Sequence, residues 1–192
     1  MKDNITPCQF TSEIVNLLAA IAESIGQLEG VNLTQPDRQL RRKNRIRTIQ
    51  ASLAIEGNSL TRDQVSALLD QKRVIGPQQD ILEVQNAIAV YRRMAEFAPF
   101  SLESLLEAHA IMMGGLVDEP GSLRHSPIGV IRENDKFQEA PRWEKVASMM
   151  QTLFHYLNES ADHLLIKSSR FHFQLEHIHP FIDGNGRIGR LW

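Results

Sequence analysis

The sequence predicts an all-α fold, a helical bundle that carries one small β-hairpin. In several segments, apolar residues recur three and four positions apart, which is the spacing of one face of an α-helix. Only the stretch between Asp118 and Pro141 breaks this pattern, with prolines and glycines around a short apolar run. With 192 residues and 42% apolar composition, the chain can bury a hydrophobic core, and its length favours one domain.

The composition excludes several classes of protein. The 21 basic and 23 acidic residues leave a net charge of −2, which gives no support to bulk binding of nucleic acid. No apolar run approaches the roughly 18 residues of a membrane span, and the N-terminal region shows no secretory signal. The single cysteine, Cys8, cannot form an internal disulfide, which fits a reducing compartment. We therefore expect a cytoplasmic globular protein with no membrane partner.

Most of the predicted helices carry a start or stop signal. Thr11 precedes the first apolar stripe and Gly30 follows it, while Thr61 and Ser101 are suited to cap shorter helices. Pro180 ends the last long stripe, because proline cannot continue a helix. The predicted helices cover residues 11–30, 61–70, 81–91, 101–113, 146–157 and 164–178.

Two other segments allow more than one interpretation. The basic run over residues 38–47 lies on a further predicted helix; we expect most of it to face solvent, with contact to a partner or to nucleic acid as the alternative. Between Asp118 and Pro141 we expect a loop with a small hairpin that turns at Asn134-Asp135. In helical domains such loops often face a substrate, and a plain connector is the alternative.

The end of the sequence is unusual. A turn over residues 183–186 is expected to start a helix, yet only six residues follow it. An isolated helix shorter than about 12 residues is marginally stable, and Leu191 and Trp192 resemble the start of an apolar face. We therefore expect the natural protein to continue past residue 192.

The segment over residues 179–190, His-Pro-Phe-Ile-Asp-Gly-Asn-Gly-Arg-Ile-Gly-Arg, carries the most chemical information. Gly184 and Gly186 allow positive φ, so that successive backbone N–H groups can form an anion-binding nest at the start of a helix. Arg187 and Arg190 are three residues apart and share one helix face, where both can bind one polyphosphate.

Two further residues of this segment suit phosphate chemistry. Asp183 offers a hard oxygen ligand for Mg²⁺ bound to phosphate, which usually takes one or two protein carboxylates. His179 is the nearest group that can take up a proton near neutral pH. A base, a metal ligand, a phosphate nest and two arginines favour nucleotidyl or phosphoryl transfer over the alternative of a structural helix cap.

This segment resembles the signature of the Fic domain, H-x-F-x-D/E-G-N-G-R-x-x-R, at every specified position. The resemblance implies a Fic-type helical bundle that transfers AMP from ATP to a Ser, Thr or Tyr hydroxyl of a target protein. It also implies an N-terminal helical region with an inhibitory motif over residues 1–78 and a catalytic core, truncated after the signature, over residues 79–192. Other segments that resemble the family are Pro120–Arg124, Val130-Ile131, Pro141 and residues 43–76.

The resemblance implies a role for each residue of the signature. His179 would deprotonate the target hydroxyl, and Asp183 would hold the Mg²⁺ cofactor on the α- and β-phosphates of ATP. The hairpin would act as a flap that pairs with an extended target segment through Ile128, Gly129, Val130 and Ile131. The residues that would bind the phosphates are Gly184, Asn185 and Gly186 in the nest, Arg187 on the phosphate chain and Arg190 on the γ-phosphate.

Upstream, the segment over residues 52–58, Ser-Leu-Ala-Ile-Glu-Gly-Asn, resembles the inhibitory helix of the family, S/T-x-x-x-E-G/N. Ser52 and Glu56 lie one turn apart on one face of a helix that Gly57 can end. By analogy, Glu56 would pair with Arg190, occupy the space of the γ-phosphate and leave ATP in a misaligned pose. A plain exposed glutamate is the alternative.

Several alternatives to regulated AMP transfer stay open. They are a nucleotide-sensing module without turnover, removal of AMP with Glu56 positioning a water, and transfer of another phosphate-containing group. The spacing of His172, Glu176 and His179 would also suit a transition metal, as a weaker alternative. The implied partners are ATP and a target protein, which the chain itself can supply; a homodimer, and DNA contact through a domain beyond residue 192, are further options.

Overall fold

The structure is a computed structural model that describes residues 9–30, 37–131 and 137–192. Within these residues the fold is all-α, as predicted, with one pair of short strands. The helices are α1 (Ser12–Gly30), α2 (Arg38–Ile55), α3 (Arg62–Leu69), α4 (Gln78–Arg92), a 3₁₀ turn (Met94–Glu96), α5 (Leu102–Met112), α6 (Trp143–Glu159), α7 (Leu164–Ile178) and α8 (Asn185–Leu191). The strands are β1 (Gly129–Ile131) and β2 (Phe137–Glu139).

Each helix expected from apolar periodicity corresponds to a helix of the structure, and local capping explains several of their starts. The Thr61 hydroxyl accepts a hydrogen bond from Gln64 N at 3.3 Å, and Gln64 Oε1 accepts one from Thr61 N at 2.9 Å, which forms a capping box at α3. Ser101 caps α5 by accepting a hydrogen bond from Ser104 N at 3.1 Å. Among the described residues, no helix is both long and apolar enough to cross a membrane.

The chain forms two compact units. The described part of Thr6–Arg45 makes up one unit, which holds α1 and the start of α2. The other unit, Ile46–Trp192, holds the rest of α2 and every later element. All candidate site residues lie in this second unit. The division into functional regions over residues 1–78 and 79–192 stays a prediction.

The two strands lie in the segment that interrupts the helical pattern. They pair antiparallel, with Val130 opposite Gln138 at the centre of the ladder. The predicted turn at Asn134-Asp135 lies outside the described residues. The pairing of a target segment with this hairpin stays a prediction.

The hydrophobic core supports the segment that carries the signature. The short helix α8 packs against both α5 and α7. Phe181, in the loop that precedes α8, and Ile188, within α8, are both fully buried. Burial of a side chain of this size contributes about 1.5–3 kcal/mol. Tertiary packing therefore holds α8 in place, because a helix of seven residues is too short to be stable by itself.

Candidate functional site

The signature loop, which we define as residues 179–184, connects α7 to α8. His179 caps the C-terminus of α7 with φ 50° and ψ 63°, in the left-handed region that few residues other than glycine adopt. Its backbone N–H still donates to the Leu175 carbonyl at 2.9 Å. This conformation turns the chain sharply at the end of α7, where the signature loop begins. A strained backbone of this kind persists only where its surroundings hold it.

Arg124 is the residue that holds this turn. Its side chain is 3% exposed, and burial lowers the pKa of its guanidinium from the ordinary value. Its backbone N–H also donates to the Pro180 carbonyl at 2.8 Å. The guanidinium donates to the carbonyl oxygens of His179 at 2.8 Å, Ser126 at 3.1 Å, Pro141 at 2.5 Å and Ile178 at 3.3 Å. Arg124 therefore links the end of α7 to both ends of the segment that carries the hairpin.

His109 supports the loop from the core side. Gly121 N donates to Nδ1 of His109 at 2.8 Å, so the ring proton must lie on Nε2, which donates to the Asp183 carbonyl at 3.0 Å. The ring also stacks on Phe181, with 3.7 Å between centroids and 7° between planes. Burial lowers the pKa of His109 below its ordinary value, which keeps the imidazole neutral and this hydrogen-bond pattern intact.

Asn185 closes the loop from the other side. Its Oδ1 accepts a hydrogen bond from Phe181 N at 2.9 Å, and its Nδ2 donates to the Phe181 carbonyl at 2.8 Å. The side chain is buried and bonded to the loop through both its polar atoms, so the backbone of this predicted nest residue is the part that can serve a ligand. Gly184 has φ 82°, and a Cβ there would lie 2.6 Å from Met113 Sδ, so both the conformation and the space require glycine.

Asp183 and Arg187 form an ion pair beside the loop. Asp183 Oδ1 accepts from Arg187 Nη2 at 2.9 Å and from Gly184 N. The Asp183 side chain is 57% exposed, whereas Arg187 is 4% exposed and also bonds Glu83 Oε1 through Nη1 at 3.2 Å. The described residues contain no cluster of three His, Cys, Asp or Glu side chains that could hold a metal ion by themselves. A single accessible carboxylate fits a cation such as Mg²⁺ that takes its other ligands from phosphates and water.

The surroundings of His179 favour the neutral form of its imidazole. It is half-buried, and this burial lowers the pKa of its imidazole below the ordinary value. The nearby Glu176 backbone carbonyl and carboxylate oppose the shift, but burial has the larger effect on the pKa. The neutral form therefore predominates at pH 7, and this is the form that can accept a proton from a hydroxyl.

The predicted inhibitory segment ends α2 in a tight turn. Asn58 N donates to the Leu53 carbonyl at 3.1 Å and Gly57 N to the Ala54 carbonyl at 3.1 Å, the paired bonds of a Schellman motif. Gly57 adopts φ 92°, the left-handed conformation that this motif requires. Glu56 is consequently the last residue before the turn, on the same helix face as Ser52.

Arg190 of α8 contacts both residues on this face. Its Nε donates to Ser52 Oγ at 3.0 Å, and its Nη2 donates to the Ser52 carbonyl at 3.0 Å and to Glu56 Oε1 at 2.6 Å. A Cβ on Gly186 would lie 2.6 Å from the same Glu56 oxygen, so the carboxylate rests directly on the first turn of α8. The structure thus brings together Ser52, Glu56, Arg190 and the predicted phosphate nest.

The weaker metal hypothesis receives no such support. His172 Nδ1 lies 2.9 Å from the carbonyl oxygen of Gly189, a bond that ties α7 to α8. In the part of the chain that the structure describes, His172, Glu176 and His179 do not form a metal-binding group. His172 therefore contributes to the packing of α7 against α8.

The sequence alone assigns no individual role to Arg124, His109 or Glu83. For His109 a signal exists: it lies four residues after Leu105 on the apolar face of α5, and a histidine on a buried face needs hydrogen-bond partners. Arg124 and Glu83 offer no comparable signal, because their partners lie 55 and 104 residues away along the chain.

The comparisons with known proteins all indicate the same family. The sequence model of the Fic/DOC family matches residues 99–192, which include the signature loop and both arginines. Among curated proteins, the chain is 29% identical over 155 residues to Protein adenylyltransferase Fic of Drosophila virilis and 28% identical over 186 residues to that of Drosophila yakuba. These alignments cover 74% and 91% of this chain, but 30% and 34% of the two relatives.

Solved structures extend this similarity to nearly the whole chain. A crystal structure of a Fic family protein from Desulfovibrio desulfuricans G20 aligns with a TM-score of 0.89 and 47% identity, covering 97% of this chain and 57% of that one. Fic-1 from C. elegans aligns with a TM-score of 0.73 and 24% identity over 94% of this chain and 58% of that one, which shows a shared fold. The chain thus spans less than two thirds of the length of each of these relatives.

Proposed function

This chain is a Fic-domain protein, and on that basis we propose that it is a Mg²⁺-dependent protein adenylyltransferase. Its substrates would be ATP and a Ser, Thr or Tyr hydroxyl of a target protein. The observation that carries the proposal is the signature loop, which places His179 and Asp183 beside the start of α8, where the two arginines follow. The curated relatives named protein adenylyltransferase support the choice of reaction.

The reaction would be an in-line substitution at the α-phosphorus. The target hydroxyl oxygen forms a bond to phosphorus, the bond to the β-phosphate oxygen breaks, and pyrophosphate leaves. His179, neutral at pH 7, takes the hydroxyl proton. Such a reaction depends mainly on positioning and on neutralisation of charge, which are the functions that a rigid loop and two guanidinium groups can provide.

Residues of α8 and of the signature loop would bind the phosphates. The backbone N–H groups of Gly184, Asn185 and Gly186 lie where a helix N-terminus attracts anions, and Arg187 and Arg190 add full positive charges. Asp183 would hold Mg²⁺, which would supply additional positive charge at the phosphate chain. Its oxygen Oδ1 is occupied within the protein by Gly184 N and Arg187, and its exposed position suits exchange of these bonds for a cation.

We further propose that Glu56 inhibits the enzyme. Its carboxylate accepts a hydrogen bond from the guanidinium of Arg190 and lies against Gly186. A γ-phosphate would need to contact both of these residues. A phosphate would have to displace this charge-assisted hydrogen bond, whose loss in a partly buried site is expected to cost about 1.5–3 kcal/mol. Removal of the Glu56 carboxylate should therefore raise the rate of AMP transfer.

The test compares ATP labelled at the α-phosphate with ATP labelled at the γ-phosphate, in Mg²⁺, with the protein itself and cell extract as targets. The variants are wild type, Glu56→Gly, and Glu56→Gly combined with His179→Ala. Glu159→Gly is a matched control, because Glu159 also ends a helix, α6, and is exposed. We expect protein-bound label from α-labelled ATP only, increased by Glu56→Gly, unchanged by Glu159→Gly and lost when His179 is also replaced.

Other outcomes would reject the proposal. Label from γ-labelled ATP would identify a kinase. Absence of label from every variant, with ATP still bound, would favour a nucleotide-sensing module. Release of AMP from an adenylylated target by wild type, abolished by Glu56→Gly, would show the reverse activity, with Glu56 positioning a water.

A further inference from the structure

We propose that Glu83 of α4 is a positioning residue of the nucleotide site. It holds Arg187 beside the signature loop and keeps this guanidinium paired, so that Asp183 can exchange its arginine bond for a cation on the phosphates of a nucleotide. The inference rests on the proposed function, because it assigns to Arg187 and Asp183 their roles in binding ATP.

The first observation is the geometry around the Glu83 carboxylate. Oε1 accepts a hydrogen bond from Arg187 Nη1 at 3.2 Å, and Oε2 accepts one from Asn58 Nδ2 at 2.8 Å. The side chain is 11% exposed, and its arginine partner is 4% exposed. A buried ion pair of this kind has a fixed geometry, because a departure by either partner would leave a charge unpaired away from water.

The second observation is that only a carboxylate satisfies this position. Both neighbours, the amide nitrogen of Asn58 and the guanidinium of Arg187, are donors, and neither can accept a hydrogen bond from the side chain between them. A glutamine of the same shape would have to turn its NH₂ group toward one of them. One of the two hydrogen bonds would then be lost, and Arg187 would lose a negative charge as well.

The third observation is the difference between the two carboxylates that pair with Arg187. Glu83 is nearly buried, whereas the Asp183 side chain is 57% exposed at the edge of the loop. The buried carboxylate cannot leave at low cost, but the exposed one can turn toward a ligand. Glu83 thus balances the positive charge of Arg187 at all times, whereas Asp183 can exchange its bond to Arg187 for a bond to a ligand.

Asn58 connects this arrangement to the inhibitory segment. It follows Gly57 in the turn that ends α2, and its Nδ2 also donates to the Asp80 carbonyl at 3.0 Å. Its Oδ1 accepts from Leu60 N at 3.1 Å, which fixes the orientation of the amide. The residues that follow Glu56 therefore orient Glu83, so one short segment acts on both arginines of α8.

The test measures binding of α,β-methylene ATP, which cannot be cleaved between the α- and β-phosphates, by isothermal titration calorimetry. All variants are made in the Glu56→Gly background, and each is titrated in Mg²⁺ and in EDTA. We expect Glu83→Gln to raise the Kd in Mg²⁺ about tenfold, as loss of a residue that supports a metal ligand commonly does. The rise in EDTA should be smaller, because Asp183 then has no cation to bind.

Glu107→Gln is the matched control. Glu107, on the neighbouring helix α5, also accepts from an arginine, Arg93 Nη2 at 2.6 Å, but this pair is exposed and belongs to no site. The Kd of the Glu107→Gln variant should equal that of Glu56→Gly alone. Asn58→Asp is a second test variant that keeps an acceptor for Leu60 N and places a carboxylate against Glu83. It should raise the Kd in the same direction.

The number of sites per chain separates positioning from a loss of folding. If Glu83 only stabilised the fold, Glu83→Gln would lower the number of sites and leave their Kd unchanged, and this result would overturn the proposal. An equal rise of the Kd in Mg²⁺ and EDTA would also contradict it. If Glu56→Gly transfers AMP normally and Glu83→Gln leaves the Kd unaltered, this inference alone is rejected. If Glu56→Gly does not bind the nucleotide, the proposed function is rejected as well.

Discussion

The Glu56 carboxylate lies 2.6 Å from Nη2 of Arg190, although 134 residues separate the two along the chain. Ser52, one helical turn before Glu56, accepts two further hydrogen bonds from the same guanidinium. The end of α2 therefore engages Arg190 with a carboxylate, a hydroxyl and a backbone carbonyl at once.

Ser52→Ala should relieve inhibition in part. The substitution removes the hydroxyl that accepts from Arg190 Nε but keeps the backbone carbonyl and Glu56. Since one such hydrogen bond contributes about 0.5–1.5 kcal/mol, the rate of AMP transfer should rise about two- to tenfold, less than in Glu56→Gly. The measurement is the initial rate with α-labelled ATP. Ser148→Ala on α6, where the hydroxyl donates to the Lys145 carbonyl at 2.9 Å, is the control. Equal rates for the two serine variants would contradict the role of Ser52.

Arg124→Lys should destabilise the protein. A lysine ammonium cannot reproduce the planar fork that donates to four carbonyl oxygens, so buried acceptors would lose their partners. We expect the free energy of unfolding, measured by urea denaturation, to fall by about 2–3 kcal/mol. Arg142→Lys is the control, because that side chain is 80% exposed and pairs with the carboxylate of Glu144 at the surface. A loss no greater than in the control would mean that the carbonyl contacts of Arg124 contribute little.

Gly184→Ala should damage the loop through two separable effects. The added Cβ would meet Met113 Sδ at 2.6 Å, and the residue would have to keep φ 82°. We expect a loss of stability of about 1–3 kcal/mol in thermal unfolding. Combination with Met113→Ala removes the clash with Met113 but leaves the unfavourable φ and the tight contact with His109 Nε2 at 3.3 Å, so it should not restore the stability of the single Met113→Ala variant.

Gly26→Ala in α1 is the control for this substitution. A Cβ at Gly26 would have no heavy atom within 4 Å, and the residue lies inside a helix. That variant should be neutral or more stable by about 0.5–1 kcal/mol. Equal stability of Gly184→Ala and Gly26→Ala would show that the loop tolerates a side chain at Gly184.

His179 should titrate below the usual range of histidine. Burial lowers the pKa of its imidazole, so the neutral base should persist below pH of about 6.5. The measurement is an NMR titration of the ring Cε1–H signal, assigned by its absence in His179→Ala. A midpoint at or above that of a denatured control peptide containing His179 would contradict the prediction.

The protein should lose stability as the solution becomes acidic. Burial depresses the pKa of both His109 and His179 in the folded state, so below a pH of about 6.5 the unfolded chain binds more protons. Their contribution is complete above that pH and is lost as the pH falls toward the folded-state pKa values, by up to about 1.4 kcal/mol per pH unit for each histidine. Urea denaturation between pH 7.5 and 5.5 measures this slope, which should be shallower in His109→Gln. An unchanged slope in that variant would show that His109 takes no part.

The features that the sequence predicted well are those that depend on local chemistry. The caps at Thr61 and Ser101 and the end of α7 before Pro180 depend on residues within one or two turns of the chain. The segment over residues 179–190 is local in the same sense, because twelve consecutive residues carry its histidine, its aspartate and both arginines; the catalytic roles of these residues stay a prediction.

The supports of the loop could not be predicted in this way. Arg124, His109 and Glu83 reach their partners only after helices distant in sequence have packed together. The sequence predicted a backbone role for Asn185 in the phosphate nest, which stays a prediction, but it did not predict that the side chain of Asn185 bonds both backbone groups of Phe181. The partner of such a side chain can be assigned only when the surrounding backbone is known.

Because Glu56 lies at the very end of α2, the proposed inhibition should be incomplete. Helix ends open locally at a lower free energy than the whole protein unfolds, because only a few bonds hold them. In the closed state Glu56 pairs with Arg190, and in the open state this pair is broken. If the Gly57 turn and the Arg190 contacts together favour the closed state by about 2.7 kcal/mol, about 1% of molecules are open at any moment. Unmodified wild type would then show a small basal activity that follows this population, rising with temperature and with mild denaturant well before the core unfolds.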